Sequence, residues 1–217
     1  MKPNKSIYPI SVTPEQDALL RSYADMLVEV NKRFNLISRG DVRQAMSHHI
    51  AHSLVLATKD VPAGSKVVDW GSGGGLPAIP LAIMWPDVQV IAVDSNGKKT
   101  RSIELFCRKL GIKNCTTWQG RAEQSSGHVQ YSVSRATAPL SDLWSWHKRV
   151  YQAGSSPPVG SWAEGLICLK GGNLDAEIAS LKALDVEVQV DVQPLRELAH
   201  DPYFSTKRLV HVTSTIV

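Results

Sequence analysis

The chain has 217 residues, of which 43% are hydrophobic and 20% charged, and it carries a formal net charge of +4. That length fits one α/β domain with a modest appendage, and the composition excludes an intrinsically disordered chain. No apolar run reaches the ~18–20 residues that cross a bilayer, the polar start MKPNKSIYPI lacks a secretory h-region, and Cys107, Cys115 and Cys168 show no CxxC spacing, so a reducing cytosol is expected rather than a disulfide framework or zinc site.

In chain order, Thr13-Pro14-Glu15-Gln16 reads as an N-cap, a proline at the first helical position and a capping-box glutamine. Leu19, Leu20, Tyr23, Leu27 and Val30 continue that helix at helical spacing, and a second apolar-periodic stretch runs over 42–56. Beyond Pro62-Ala63-Gly64 the texture becomes strands (66–69, 88–94, 115–119, 131–134, 165–169, 186–190) alternating with helices (76–84, 98–110, 141–151, 173–184). A last apolar stretch over 208–213 has no helix before it and is expected to insert antiparallel. The pattern predicts a parallel sheet with helices on both faces. It divides the chain into an N-terminal helical extension, 1–60, and one compact domain, 61–217.

Between the first strand and its helix lies Gly71-Ser72-Gly73-Gly74-Gly75, preceded by Asp69 and followed by Leu76-Pro77. Glycines there allow positive φ and a close approach to bare backbone, and the helix N-terminus points its N–H groups at whatever occupies the loop; tight packing alone is the competing account. Asp94 ends the second strand, 19 positions after Gly75, close to the ~20 expected of a carboxylate that accepts from a ribose diol. A turn aspartate in Asp94-Ser95-Asn96-Gly97 would look the same. A dinucleotide fingerprint would need a small residue where Leu76 stands, and Asp69 would repel a pyrophosphate. The ammonium and sulfonium of S-adenosylmethionine would be attracted by that acid, which favours this cofactor over NAD. After the third strand, Gly120-Arg121-Ala122-Glu123 falls at the carboxyl edge of the sheet, where Ala122 and Glu123 can bracket an adenine.

The run VVDWGSGGGLPAIPLAIMWPDVQVIAVDSNGKKTRSIE, with GRAEQ, SRATAPL and LKGG after it, resembles the RsmG (GidB) family of bacterial 16S rRNA guanine-N7 methyltransferases over nearly the whole chain. The resemblance implies a class I Rossmann-like methyltransferase fold, a seven-stranded mostly parallel sheet with its last strand antiparallel. It implies S-adenosyl-L-methionine as cofactor and methylation in the 530-loop region of 16S rRNA. It places Gly71, Gly73 and Gly75 at the cofactor loop, where the reading of the residues also puts Asp69 and Leu76, with Asp94 on the ribose and Ala122 with Glu123 on the adenine. Arg135 would face cofactor and target, with Lys170, Asn35 and His49 toward the substrate. Asn35-Leu36, His49 and Ser53 match the family's N-terminal helical element, but His52 stands where the family usually has aspartate, and the 154–164 loop is longer than expected.

Guanine N7 has a lone pair and no proton, so methyl transfer to it needs orientation rather than a general base. Consistently, there is no Pro-Cys nucleophile element and no Asn/Asp-Pro-Pro-aromatic motif after the fourth strand. Arg135 is expected to handle guanine O6 or a phosphate, a salt bridge to a core-edge acid being the alternative. His48, His49 and His52 lack a carboxylate or cysteine partner at a known spacing, so protein or RNA contact is expected of at least one of them and no metal. Basic residues gather at Lys32–Arg33 with Arg39 and Arg43, at Lys98–Lys99 with Arg101, at Arg108–Lys109 with Lys113, and at Lys148–Arg149. Solvated helix faces and a phosphate-binding surface both account for such clusters. The expected partner is 16S rRNA or the small ribosomal subunit, and the expected form a cytoplasmic monomer away from membranes. A methyltransferase on another substrate and a non-catalytic adenosylmethionine-binding assembly factor are the rival readings.

Overall fold

The computed structural model describes residues 7–135, 137–197 and 202–214, without the side chains of Arg39, Asp41 and Glu197. Ala136, in a motif read from the sequence, and the side chain of Arg39 lie outside the described residues.

Helix α1 spans Pro14–Asn31 and begins as its sequence predicts. The Thr13 hydroxyl accepts from the Gln16 N–H and the Gln16 side chain accepts from the Thr13 N–H, a reciprocal cap contributing about 1 kcal/mol. Leu20, Tyr23, Ala24 and Leu27 form its buried stripe. The next stretch does not form the single helix its periodicity predicts. A 3₁₀ turn (Arg39–Gln44), a π-helical turn (Ala45–Ile50), the short α2 (Ala51–Leu54) and another 3₁₀ turn (Val55–Thr58) follow one another.

Seven strands follow: β1 (Lys66–Trp70), β2 (Gln89–Asp94), β3 (Cys115–Gln119), β4 (Tyr131–Arg135), β5 (Gly165–Gly171), β6 (Val188–Pro194) and β7 (Lys207–Ser214). Helices α3 (Ala78–Met84), α4 (Gly97–Leu110), α5 (Leu140–Val150) and α6 (Asp175–Leu184) alternate with them. The sheet order is β3-β2-β1-β4-β5-β7-β6. β7 enters antiparallel between β5 and β6, and every other pairing is parallel. This is the Rossmann-like α/β fold, with its chain reversal between β1 and β4, where such sheets open a ligand crevice.

Both faces of the central strands are covered, so their residues alternate between two cores rather than between core and water. Val67, Ile167 and Leu169 face one layer with α3, and Val68, Leu166 and Cys168 face the layer of α5 and α6. The N-terminal helix shares a core with α3, α4 and β2 through Tyr23, Leu27, Ile79, Ile83 and Phe106. Helix α3 starts two residues later than predicted, at Ala78, with Pro77 in the cap position. Proline has no side-chain acceptor. The buried Asp69 carboxylate supplies one instead, accepting the Ala78 N–H at 3.1 Å.

Candidate cofactor cleft and its comparison with known proteins

At the carboxyl edge of the sheet, the loops after β1, β2, β3 and β4 enclose a cavity of about 520 Å³. Gly71, Gly73, Leu76, Asp94, Ala122, Glu123 and Arg135, all singled out from the sequence, line it. The glycines have definite tasks. Gly71 holds φ at +74°, and a Cβ there would lie 2.2 Å from the Thr137 methyl; Gly73 holds φ at +56°. A side chain at either position meets backbone strain, and at Gly71 also the opposite wall of the cleft.

Asp94 is the hinge of this wall. Its Oδ2 accepts the Gly73 N–H at 3.0 Å and its Oδ1 the Asn96 N–H at 2.9 Å, with Lys99 Nζ 3.7 Å away. The carboxylate thus ties the β1 loop to the start of α4. Each oxygen retains a further lone pair, which suits the two hydroxyls of a ribose diol. Asn96, rather than Asp94, caps α4, its side chain accepting the Lys98 N–H.

Other residues predicted for the site stand outside the lining. Asp69 is fully buried under the loop, where burial pushes its carboxyl up to about 7. Gly75 has φ +98°, and a Cβ there would lie 2.7 Å from Ile79, so it seats α3 rather than facing the cleft. Asn35 is exposed beside the lining residue Leu36. Lys170 turns away, donating to the Ala138 carbonyl and to Glu177 Oε2, the latter at 2.7 Å.

His49 is buried in the π-helical turn, and its Nδ1 accepts from Arg135 Nη1 at 2.8 Å. A guanidinium has no acceptor, so this contact fixes the proton of a neutral His49 ring on Nε2. His48 stacks on Tyr203 with centroids 3.9 Å apart, and His52 is packed edge-on against Tyr203 and Phe204. Burial holds the His52 imidazole well below its usual range, so the ring packs there uncharged. Tyr23 of α1 donates its hydroxyl to the Gly74 carbonyl at 2.9 Å and clamps the glycine loop from below.

Leu36, Ser72, Lys99, Thr137 and Trp146 also line the cavity, although sequence reasoning gives them no role there. Lys99 carried a signal, lying one turn into the helix after Asp94. Leu36 and Trp146 carried none, because their approach depends on packing between distant segments. Among the described residues, no helix is long and apolar enough to cross a membrane.

The family model described as rRNA small subunit methyltransferase G matches residues 16–195 of this chain. Among curated relatives, the ribosomal RNA small subunit methyltransferase G of Salinibacter ruber is 46% identical over 205 residues, covering 94% of this chain and 95% of that protein. The Bacteroides fragilis protein of the same name is 37% identical over 204 residues, covering 93% and 95%. Among solved structures, fibrillarin from Aeropyrum pernix, with natively bound S-adenosyl-L-methionine, superposes with a TM-score of 0.55 at 14% identity, over 76% of this chain and 74% of its own. An rRNA methylase from Streptococcus thermophilus gives 0.50 at 18% identity, over 76% and 94%. The structural likenesses bear on the fold, and the close relatives and family model on descent. The chain belongs to the rRNA small subunit methyltransferase G family and is a methyltransferase whose cofactor is S-adenosyl-L-methionine.

Proposed function

We propose that the chain methylates N7 of a guanine in the 530-loop region of 16S rRNA, with the small ribosomal subunit or its rRNA as partner. The observation that carries this reading is Arg135, which lines the cofactor cleft at the end of β4 while His49 holds its guanidinium from outside. Bound S-adenosyl-L-methionine supplies an electrophilic methyl on its sulfonium. The protein's task is then to hold an unprotonated ring nitrogen in line with that methyl, and no proton has to be removed. Arg135 donates to guanine O6, the acceptor beside N7 on the same base edge, and orients the base.

In this reading Asp94 receives the ribose hydroxyls, the 71–76 loop the amino-acid portion of the cofactor, and Ala122 with Glu123 the adenine. Asp69 acts from beneath by anchoring the Ala78 N–H, which keeps the loop in register with α3. Lys170 joins β5 to the 138 carbonyl and α6 and shapes the crevice wall instead of touching the base. The names of the curated relatives support rRNA as the substrate class. The test is to map methylated guanines in small-subunit rRNA from a deletion strain and its complemented partner. Loss and recovery of one N7-methylguanine is expected, and an unchanged N7 pattern would overturn the proposal.

A further inference from the structure

Two basic clusters 65 residues apart in the chain, at Lys32–Arg33 and Lys98–Arg101, meet on one groove. It runs between the end of α1 and the first turns of α4, encloses about 480 Å³, and is lined by Val30, Arg33, Phe34, Lys98, Arg101 and Leu105 among others. Phe34 presents its ring there at 38% exposure, with Lys98 Nζ 5.8 Å from the ring centroid. The turn that carries it is firmly built. Buried Asn31 accepts the N–H groups of Leu36 and Ile37 at 2.7 and 2.9 Å, fixing the backbone just beyond Phe34.

The charge of the groove is unbalanced. Glu29 at its rim is already paired with Lys32. Among the described residues, no carboxylate lies within salt-bridge distance of Arg33, Lys98 or Arg101. Lys98, Arg101 and Arg108 are exposed along one side of α4 over ~15 Å, with half-buried Leu105 between them and the exposed Glu104, which accepts from Thr117 at 2.6 Å, interrupting the line beyond Arg101. Groove and cofactor cleft are lined by neighbouring residues of the same two segments: Leu36 and Lys99 line the cleft, while Phe34 and Lys98 line the groove.

We propose that this groove binds the single-stranded RNA flanking the target base, one neighbouring base stacking on Phe34 and its phosphates lying on Arg33, Lys98 and Arg101. This rests on the rRNA reading above. A base presented to a methyl donor must leave its stack, and the strand on either side then needs a surface outside the cleft. An exposed aromatic among unpaired cations is the usual platform for such a strand. The Lys98–Phe34 separation is near the outer limit of a cation–π contact, so a flat base displaces the ammonium from the ring and leaves it for a phosphate. A membrane surface would need an apolar face around Phe34, and the groove presents charges there instead.

The test uses the full chain and small ribosomal subunits from a strain lacking the methyltransferase, with Phe34→Ala and the double variant Arg33→Glu, Arg101→Glu. The expected result is a KM for subunits raised at least tenfold in each, with kcat within about threefold. Affinity for S-adenosyl-L-methionine, measured by calorimetry, stays unchanged and shows that the variants are folded. Phe34→Trp retains the wild-type KM. The double variant also flattens the salt dependence of RNA binding by about 0.7 in log–log slope for each phosphate it no longer neutralises. Wild-type KM and salt slope in both variants would overturn the proposal, as would an effect confined to binding of anionic lipid vesicles. Absence of methyl transfer by the wild-type protein would defeat the rRNA reading and the groove with it, whereas transfer with unaltered variants defeats the groove alone.

Discussion

The two walls of the cleft are built by different means. On the β1–β2 side glycine backbone and a carboxylate line the cleft beside Ser72, Leu76 and Lys99: Gly71 and Gly73 stand at positive φ, and Asp94 ties the Gly73 and Asn96 N–H groups together. On the β4 side it is a long side chain, Arg135, held by a histidine 86 residues away in the chain on an irregular run of 3₁₀, π and α turns. The first wall is a local consequence of its sequence, and the second exists only when distant segments pack. In the proposed reading the main-chain wall takes the cofactor and the side-chain wall the acceptor base.

The contrast can be broken at four places. The largest effect is expected beneath the first wall. The Asp69 carboxyl, ordinarily near 3.8, is pushed up to about 7 by burial, so the folded protein holds its proton more tightly than the unfolded chain. Its contribution to stability is full in acid and is lost as pH rises from about 4 to 7, by about 4 kcal/mol. Thermal unfolding followed from pH 5 to 8 should show Tm falling over that range. Asp69→Asn, which keeps an acceptor for Ala78, should flatten the profile, and identical profiles would contradict this account.

At the second wall, Arg135→Ala should lower kcat about 100-fold while cofactor affinity stays within about threefold. His49→Ala should give a smaller loss of about tenfold, partly restored by His49→Gln, whose amide oxygen can accept from the guanidinium. Equal activity of the His49 alanine and glutamine variants would show that the contact does not position Arg135. Asp94→Ala should weaken cofactor binding by at least an order of magnitude in calorimetry, with a smaller loss in Asp94→Asn. The smallest change lies beneath the glycine loop of the first wall. Tyr23→Phe leaves the Gly74 carbonyl without its buried donor and should cost about 1–2 kcal/mol, read as a fall in Tm of roughly 2–8 °C.

Most of the strands, the cap of α1 and the unit from the glycine loop to Asp94 were legible because each depends on neighbours within a few residues. Thr13 and Gln16 meet across one turn, and the helix ends were misplaced by at most two residues, as at Ala78. The π-helical turn was not legible, since the 42–56 apolar pattern serves a regular helix equally well and only the contacts of His48 and His49 distinguish the two. Lys170 looked like a crevice residue from its place at the end of β5, but Glu177 on the following helix draws it away. Leu36 and Phe34 differ by two positions and line different hollows, because Asn31 sets the turn between them. Side-chain direction after a turn was the part that one-dimensional spacing did not contain.

The place of β7 has a consequence for how the sheet is completed. The connection through α6 carries the chain from β5 past one strand position before laying down β6, leaving a gap two strand spacings wide, ~10 Å. Only β7 fills it, and β7 begins 13 residues after β6 ends. Until β7 is inserted, β6 has no hydrogen-bonding partner in the sheet. Without β7 the β5 edge stays open, on the side of the crevice that carries Arg135.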